Sequence, residues 1–253
     1  MKKLIPGLFL VLAAGCSTVQ YQIGFPPDAE RSSFTRYEVK EIQYVTQHIN
    51  NAAFGPYTVS ITRTPMKKSI NRSDGFITDV DKNSASETYT YELKGPGKIL
   101  WHGDCESSAD YYSRESGLIF KTVEDGYYKN YLRCTFNSAG RKPIEMKIDV
   151  NETYKDQSMT LFKKGYIRSG NIQLDLERTT NTEKFSLLPF NIGYYIYHNE
   201  ELVAIVQNLM NGNVYISSTL DPRLLPLVVN ASAAILTYYD LEVEVFPDEE
   251  EGD

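Results

Sequence analysis

The chain reads as a mainly β protein, an antiparallel sheet closed around one buried C-terminal helix. Three observations predict it. From residue 57 onward, short β-rich runs alternate with turn residues every dozen or so positions, the texture of a single antiparallel sandwich or barrel. Nineteen tyrosines suit half-buried pleated surfaces. Residues 224–239 are apolar on almost every side of a helix, and such a helix must be surrounded on every side.

The first fifteen residues stand apart. Met1-Lys2-Lys3 is a short positive start and residues 4–14 carry no charge. That is signal-peptide length, short of the ~20 apolar residues a bilayer span needs. The stretch closes on Leu12-Ala13-Ala14-Gly15-Cys16, which resembles the bacterial lipobox, with Ala13 where Leu is more usual. The resemblance implies cleavage before Cys16, a diacylglycerol on its sulfur and an acyl chain on the new amino group. Several acyl chains at ~0.8 kcal/mol per buried methylene hold a protein stably, whereas one does not. Ser17, in place of a retaining Asp, implies the outer membrane, on its periplasmic face.

Residues 16–33 contain Pro26 and Pro27 and no periodicity, which suits a lipidated tether. Over 34–53, Ile42, Val45, Ile49 and Ala52 recur at helical spacing behind Ser33, a candidate N-cap, so one N-terminal amphipathic helix is expected. A single domain then runs over 34–246. The acids of Asp248-Glu249-Glu250-Glu251-Gly252-Asp253 mark 247–253 as a solvated, disordered tail.

Within the domain, 57–62 and 87–93 alternate cleanly, and Lys94-Gly95-Pro96-Gly97-Lys98 is a turn. Further strands are expected over 99–102, 117–123, 127–136, 144–150 and 166–176, with breaks at Glu124-Asp125-Gly126 and Asn137-Ser138-Ala139-Gly140. In the last third, 190–197 and 202–207 form a hairpin about His198-Asn199-Glu200-Glu201, and Asn211-Gly212-Asn213 leads into a strand over 214–217. Asp221 can N-cap a helix with Pro222 at its first position. The helix over 224–239 carries Pro226, Asn230 and Ser232, which makes it short and polar for a membrane span and suited to a protein core.

With Cys16 set aside, Cys105 and Cys134 remain. Export and an even remainder predict one disulfide between them. A metal site would have to join His102, Asp104 and Cys105, and no second His or Cys stands at ligand spacing, so neither metal nor cofactor is expected. The P-loop, dinucleotide, nucleophile-elbow and zincin patterns are absent. An envelope hydrolase would have to use His102 and Asp104 with a nearby serine, Ser107 or Ser108, all from one strand and its following turn. The alternative is a non-catalytic barrel that binds a lipid or an envelope protein. A formal charge of -7 and a pI near 5.1 leave no footprint for nucleic acid, and 16 Gly with 11 Pro exclude low complexity.

The hairpin, the turn and the apolar helix, with Arg223-Leu224-Leu225-Pro226-Leu227 through Ala234-Ile235-Leu236-Thr237-Tyr238-Tyr239-Asp240-Leu241-Glu242, resemble the tubby-like superfamily. That group includes the tubby C-terminal domain, the LURP-one-related proteins and the phospholipid scramblases. The stretch from Tyr91 through Gly95-Pro96-Gly97 to Trp101 is similar to the matching unit of the first half. The resemblance implies a barrel of about twelve strands threaded by the C-terminal helix, and an association with lipids. It transfers no site. Tubby uses a basic surface, and here Lys67, Lys68 and Arg72 form only a small cluster; the scramblase calcium segment has no counterpart.

Overall fold

The computed structural model describes residues 22–40, 44–45, 48–49, 51–73, 75, 77–98, 100–117, 122–155, 158–183, 192–208, 212–238 and 241. The strands are β1 (Phe34–Lys40), β2 (Tyr44–Val45), β3 (His48–Ile49), β4 (Asn51–Phe54), β5 (Tyr57–Arg63), β6 (Lys67–Ser73), β7 (Thr78–Lys94) and β8 (Leu100–Ser116). They continue as β9 (Thr122–Asn137), β10 (Ile144–Lys155), β11 (Ser158–Ser169), β12 (Ile172–Thr179), β13 (Gly193–His198), β14 (Glu201–Gln207) and β15 (Asn213–Ser217). One α-helix follows, α1 (Leu225–Thr237).

Twelve antiparallel strands close a ring in the order β5-β4-β1-β15-β14-β13-β12-β11-β10-β9-β8-β7, and β7 returns to β5. β2 and β3 pair only with each other. The described residues of 34–53 are therefore strands, and none of them forms the amphipathic helix expected there. β1 pairs with the last strand, β15, and with β4. Closing the barrel outweighs the local helical spacing, as tertiary pairing routinely overrides propensity.

The helix fills the closed half of the barrel. Every residue from Leu227 to Thr237 is buried, packed on inward side chains such as Leu93, Phe136, Leu174, Ile196 and Val214. Its polar groups bond within reach. Asn230 Nδ2 donates to the Pro226 carbonyl at 2.8 Å, Ser232 Oγ to Val228 at 2.8 Å and Thr237 Oγ1 to Ala233 at 2.8 Å. The helix begins one turn later than expected. Pro226, not Pro222, occupies its start, while Asp221 accepts the Arg223 N–H at 2.8 Å and grips its guanidinium at 2.6 Å. That Arg223 contact holds the exposed Asp221 carboxyl down to about 2.

β13, β14 and β15 lack clean alternation because they are covered on both faces. Inside lies the helix. Outside, Ile192, Tyr195, Ile205 and Tyr215 form an apolar wall with Ile23, and Phe25 and Phe34 pack against it. The segment expected to be a free tether is thus bound along this wall from residue 22 onward. The Gly24 N–H donates to the Asn181 carbonyl at 3.0 Å, and the Tyr195 hydroxyl donates to the Gly24 carbonyl at 2.7 Å.

Several strands outrun their sequence expectation. β7 and β8 each hold 17 residues and β9 holds 16, so β6 to β11 project beyond the closed half. Glu124-Asp125-Gly126 is a bulge inside β9, not a break: Asp125 faces Arg114, Val123 faces Glu115, and Glu124 is the extra residue. Conversely, 166–176 is two strands joined at Gly170-Asn171, where Gly170 takes φ +61°, a conformation glycine adopts without strain. Lys67, Lys68 and Arg72 lie on the fully exposed strand β6.

Among the described residues the turns gather at two ends, except at 64–66, where β6 continues β5 along β7. One end, called here the mouth, carries the tight turns 95–98, 138–143, 170–171 and 199–200 and the start of α1. The opposite end carries the projecting sheet.

Candidate ligand pocket at the barrel mouth

The residues singled out from the sequence are only partly brought together. Cys16 lies outside the described residues. Cys105 and Cys134 face each other directly across β8 and β9, with Cα atoms 4.2 Å apart and sulfurs at disulfide distance, 2.07 Å. Both are buried on the inner face. His102 and Asp104 share the outer face of β8, where His102 Nδ1 lies 3.9 Å from a Glu92 carboxylate oxygen. Ser107 is fully buried on the inner face. Ser108 is on the outer face, but four residues beyond Asp104, about 13 Å along the strand. Among the described residues no serine is hydrogen-bonded to His102 or Asp104. Among the described residues, no three His, Cys, Asp or Glu side chains gather as a metal site.

The geometry gathers other residues. At the mouth, a pocket of about 140 Å³ opens beside the first turn of α1. Leu225, Pro226 and Val229 form one wall, Tyr57, Leu93 and Trp101 the other. Trp101 is the chain's single tryptophan. The one charged group on the lining is Arg141, from the β9–β10 turn, whose guanidinium carbon sits 5.8 Å from the Trp101 ring centroid. Burial, with a smaller contribution from Tyr37, raises the Tyr57 hydroxyl above its ordinary pKa, so the rim phenol stays neutral.

Local sequence builds this shape. Alternation on β7 turns Leu93 inward, and alternation on β8 turns Trp101 inward. Between them, Gly95 lies so close to Tyr57 that a Cβ there would stand 2.9 Å from the ring; any side chain would push that ring into the pocket. The pocket matches the chemistry of an apolar group presented beside one polar end. An engineered cavity of about 150 Å³ holds a benzene ring, so there is room for one ring or the end of an acyl chain.

Two larger concavities are open surface. One, about 550 Å³, lies over Thr62, Thr90, Asp104 and Thr135 on the outer wall; the other, about 590 Å³, lies over Asp175, Glu177 and Tyr197. The first also borders the buried Tyr89, Cys105 and Cys134, but both grooves open more widely to solvent than the mouth pocket, so neither encloses a ligand. The mouth pocket is smaller, but it reaches the core.

A second feature was missed by sequence reasoning. At the far end of α1, Arg63 Nη1 donates to Glu87 at 2.7 Å and Nη2 donates to the Thr237 carbonyl. The guanidinium also lies over Tyr89, 4.7 Å from its centroid. Beyond it, the Tyr238 hydroxyl donates to Asn130 at 2.7 Å, and Asn130 donates to Tyr128 at 2.8 Å. These groups receive the chain as it leaves the helix, so the cluster reads as an internal cap. Comparison with protein-family models, with curated proteins and with solved structures finds no match to this chain.

Proposed function

We propose that this chain is a non-catalytic envelope lipoprotein, held through lipid on Cys16 at the periplasmic face of the outer membrane, whose barrel binds the apolar end of an amphiphile. The observation that carries the binding half is the half-open pocket, with Trp101 and Val229 as walls and Arg141 as the only charge among the described residues that line it. Pockets of this kind, largely apolar with few polar groups, are where small ligands bind. The tubby-like resemblance supports the same reading, since that superfamily is associated with lipids. The lipobox resemblance at Leu12–Cys16 supports the anchor.

Because the chain holds one tryptophan and it lines the pocket, intrinsic fluorescence reports occupancy. Titration with a medium-chain fatty acid should shift Trp101 emission saturably. Arg141→Ala should weaken the acid about 2- to 5-fold, the ratio for about 0.5–1 kcal/mol, and leave the alcohol of equal chain length unchanged. Leu225→Phe, on the half-exposed rim, should block both ligands while leaving Trp101 the sole tryptophan. Failure of acid and alcohol alike to move Trp101 emission ends the binding reading. Metabolic labelling with a fatty acid should mark the wild type and not Cys16→Ala; equal labelling ends the anchor reading.

A further inference from the structure

We infer that the end of the barrel opposite the mouth is a membrane-docking surface, with the tip of the projecting sheet set into the bilayer interface; this rests on the lipid anchor at Cys16.

The first support is where the described chain begins. Ile23 is fully buried and bridges Thr182, at the end of the barrel opposite the mouth. Its N–H donates to Gln207 Oε1 at 3.2 Å, and the Glu183 N–H donates to the Gln22 carbonyl at 3.0 Å. The chain is therefore gripped at residue 22, and only seven peptide steps separate Ile23 from Cys16. Fully extended, these reach about 24 Å. Binding 22–33 along the outer wall converts a long tether into a short one and holds this end toward the lipid.

The second support is independent of the anchor. Three large aliphatic side chains are exposed among the described residues: Ile70, Ile77 and Val123. All three lie on the projecting sheet, Ile70 on β6, Ile77 just before β7 and Val123 at the start of β9. Around them Arg72 pairs with Asp81 at 3.4 Å and Arg114 with Glu124 at 3.7 Å, where Ser116 also donates, while Glu115 and Asp125 beside Val123 add negative charge. The tip thus offers Ile77 and Val123 inside a rim that leans acidic, which suits a zwitterionic headgroup layer rather than an anionic one. Trp101 lies fifteen residues from Ser116 along β8, about 50 Å before twist and tilt shorten it. The pocket consequently opens away from the bilayer, and its ligand arrives from the aqueous side.

The test uses the mature, full-length protein on vesicles of phosphatidylcholine and phosphatidylethanolamine whose acyl chains carry bromine, a contact quencher of tryptophan. Wild type reports Trp101 alone; Ile77→Trp and Val123→Trp each add a probe at the tip, on exposed sites that tolerate a larger ring. The added emission should be largely lost on brominated vesicles, and Trp101 emission should be unchanged. Quenching of Trp101, or unquenched tip probes on vesicle-bound protein, overturns the orientation. A tip probe shielded before vesicles are added, in a protein that sediments as a dimer, overturns it in favour of a second copy. The mass of the N-terminal peptide separates the two claims. An unacylated peptide overturns the anchor and this inference with it, whereas an acylated peptide with unquenched tip probes overturns this inference alone.

Discussion

Arg63 and Glu87 meet at 2.7 Å inside the barrel, with side chains 9% and 2% exposed, and the same guanidinium takes the Thr237 carbonyl at the end of the helix. A helix end leaves carbonyls without partners, and here one is buried where water cannot serve it. Arg63 answers it from β5, and Glu87 on β7 balances the charge.

Removing one member should therefore cost far more than removing both. Arg63→Met should destabilise the fold by about 3–5 kcal/mol, the range for leaving a buried charge unpaired. Arg63→Met with Glu87→Leu should recover a substantial part of that loss, because the stranded carboxylate is gone. Denaturant midpoints of the two singles and the double measure it. Strict additivity of the singles would contradict the pairing.

Cys105 and Cys134 close a loop of 29 positions across neighbouring strands. Chain-entropy reasoning assigns such a link about 3–4 kcal/mol. Cys105→Ser with Cys134→Ser should lower the denaturant midpoint accordingly. Alkylation of the denatured, unreduced mature protein should modify neither cysteine, and modification of both would show that the bond is not made.

Alkaline pH should loosen the barrel. Burial raises the Tyr89 hydroxyl far above its ordinary pKa, with opposing effects from Arg63, which lowers it, and Glu87, which raises it. Burial likewise raises Tyr91, with help from Tyr89. In the unfolded chain both ionise near pH 10. Their contribution is therefore complete below about pH 10, and it is lost as pH rises further, since the unfolded state sheds protons the fold retains. Stability against urea should be flat through neutrality and fall above about pH 10. Tyrosinate absorbance should contain a fraction that appears only as the far-UV signal collapses; early titration of every tyrosine would sink the assignment.

The β13–β14 hairpin was legible because its turn is chemically explicit: Asn199 and Glu200 take φ of 50° and 69°, and the flanking runs are too apolar for a loop. The far halves of β7 and β8 were not. Their inward positions mix Asn83, Ser107 and Ser113 with the small Ala85 and Ala109, so no clean apolar alternation marks them as strands.

Local chemistry set what each stretch of sequence could decide alone. The apolarity of 224–239 demanded enclosure whatever the fold, and Leu227 to Thr237 are indeed wholly enclosed. Two cysteines left once Cys16 is set aside, in a chain expected to be exported, pointed to each other. Tertiary structure decided the rest, because those outcomes depend on neighbours distant in sequence. Residues 34–53 carry a helical spacing, yet β1 gains more by pairing with β15, about 180 positions away. Ser107 and Asp104 looked adjacent until the pleat of β8 sent them to opposite faces. The pocket joins Tyr57, Trp101, Arg141 and Val229, and only closure of the barrel brings four such separate positions around one cavity.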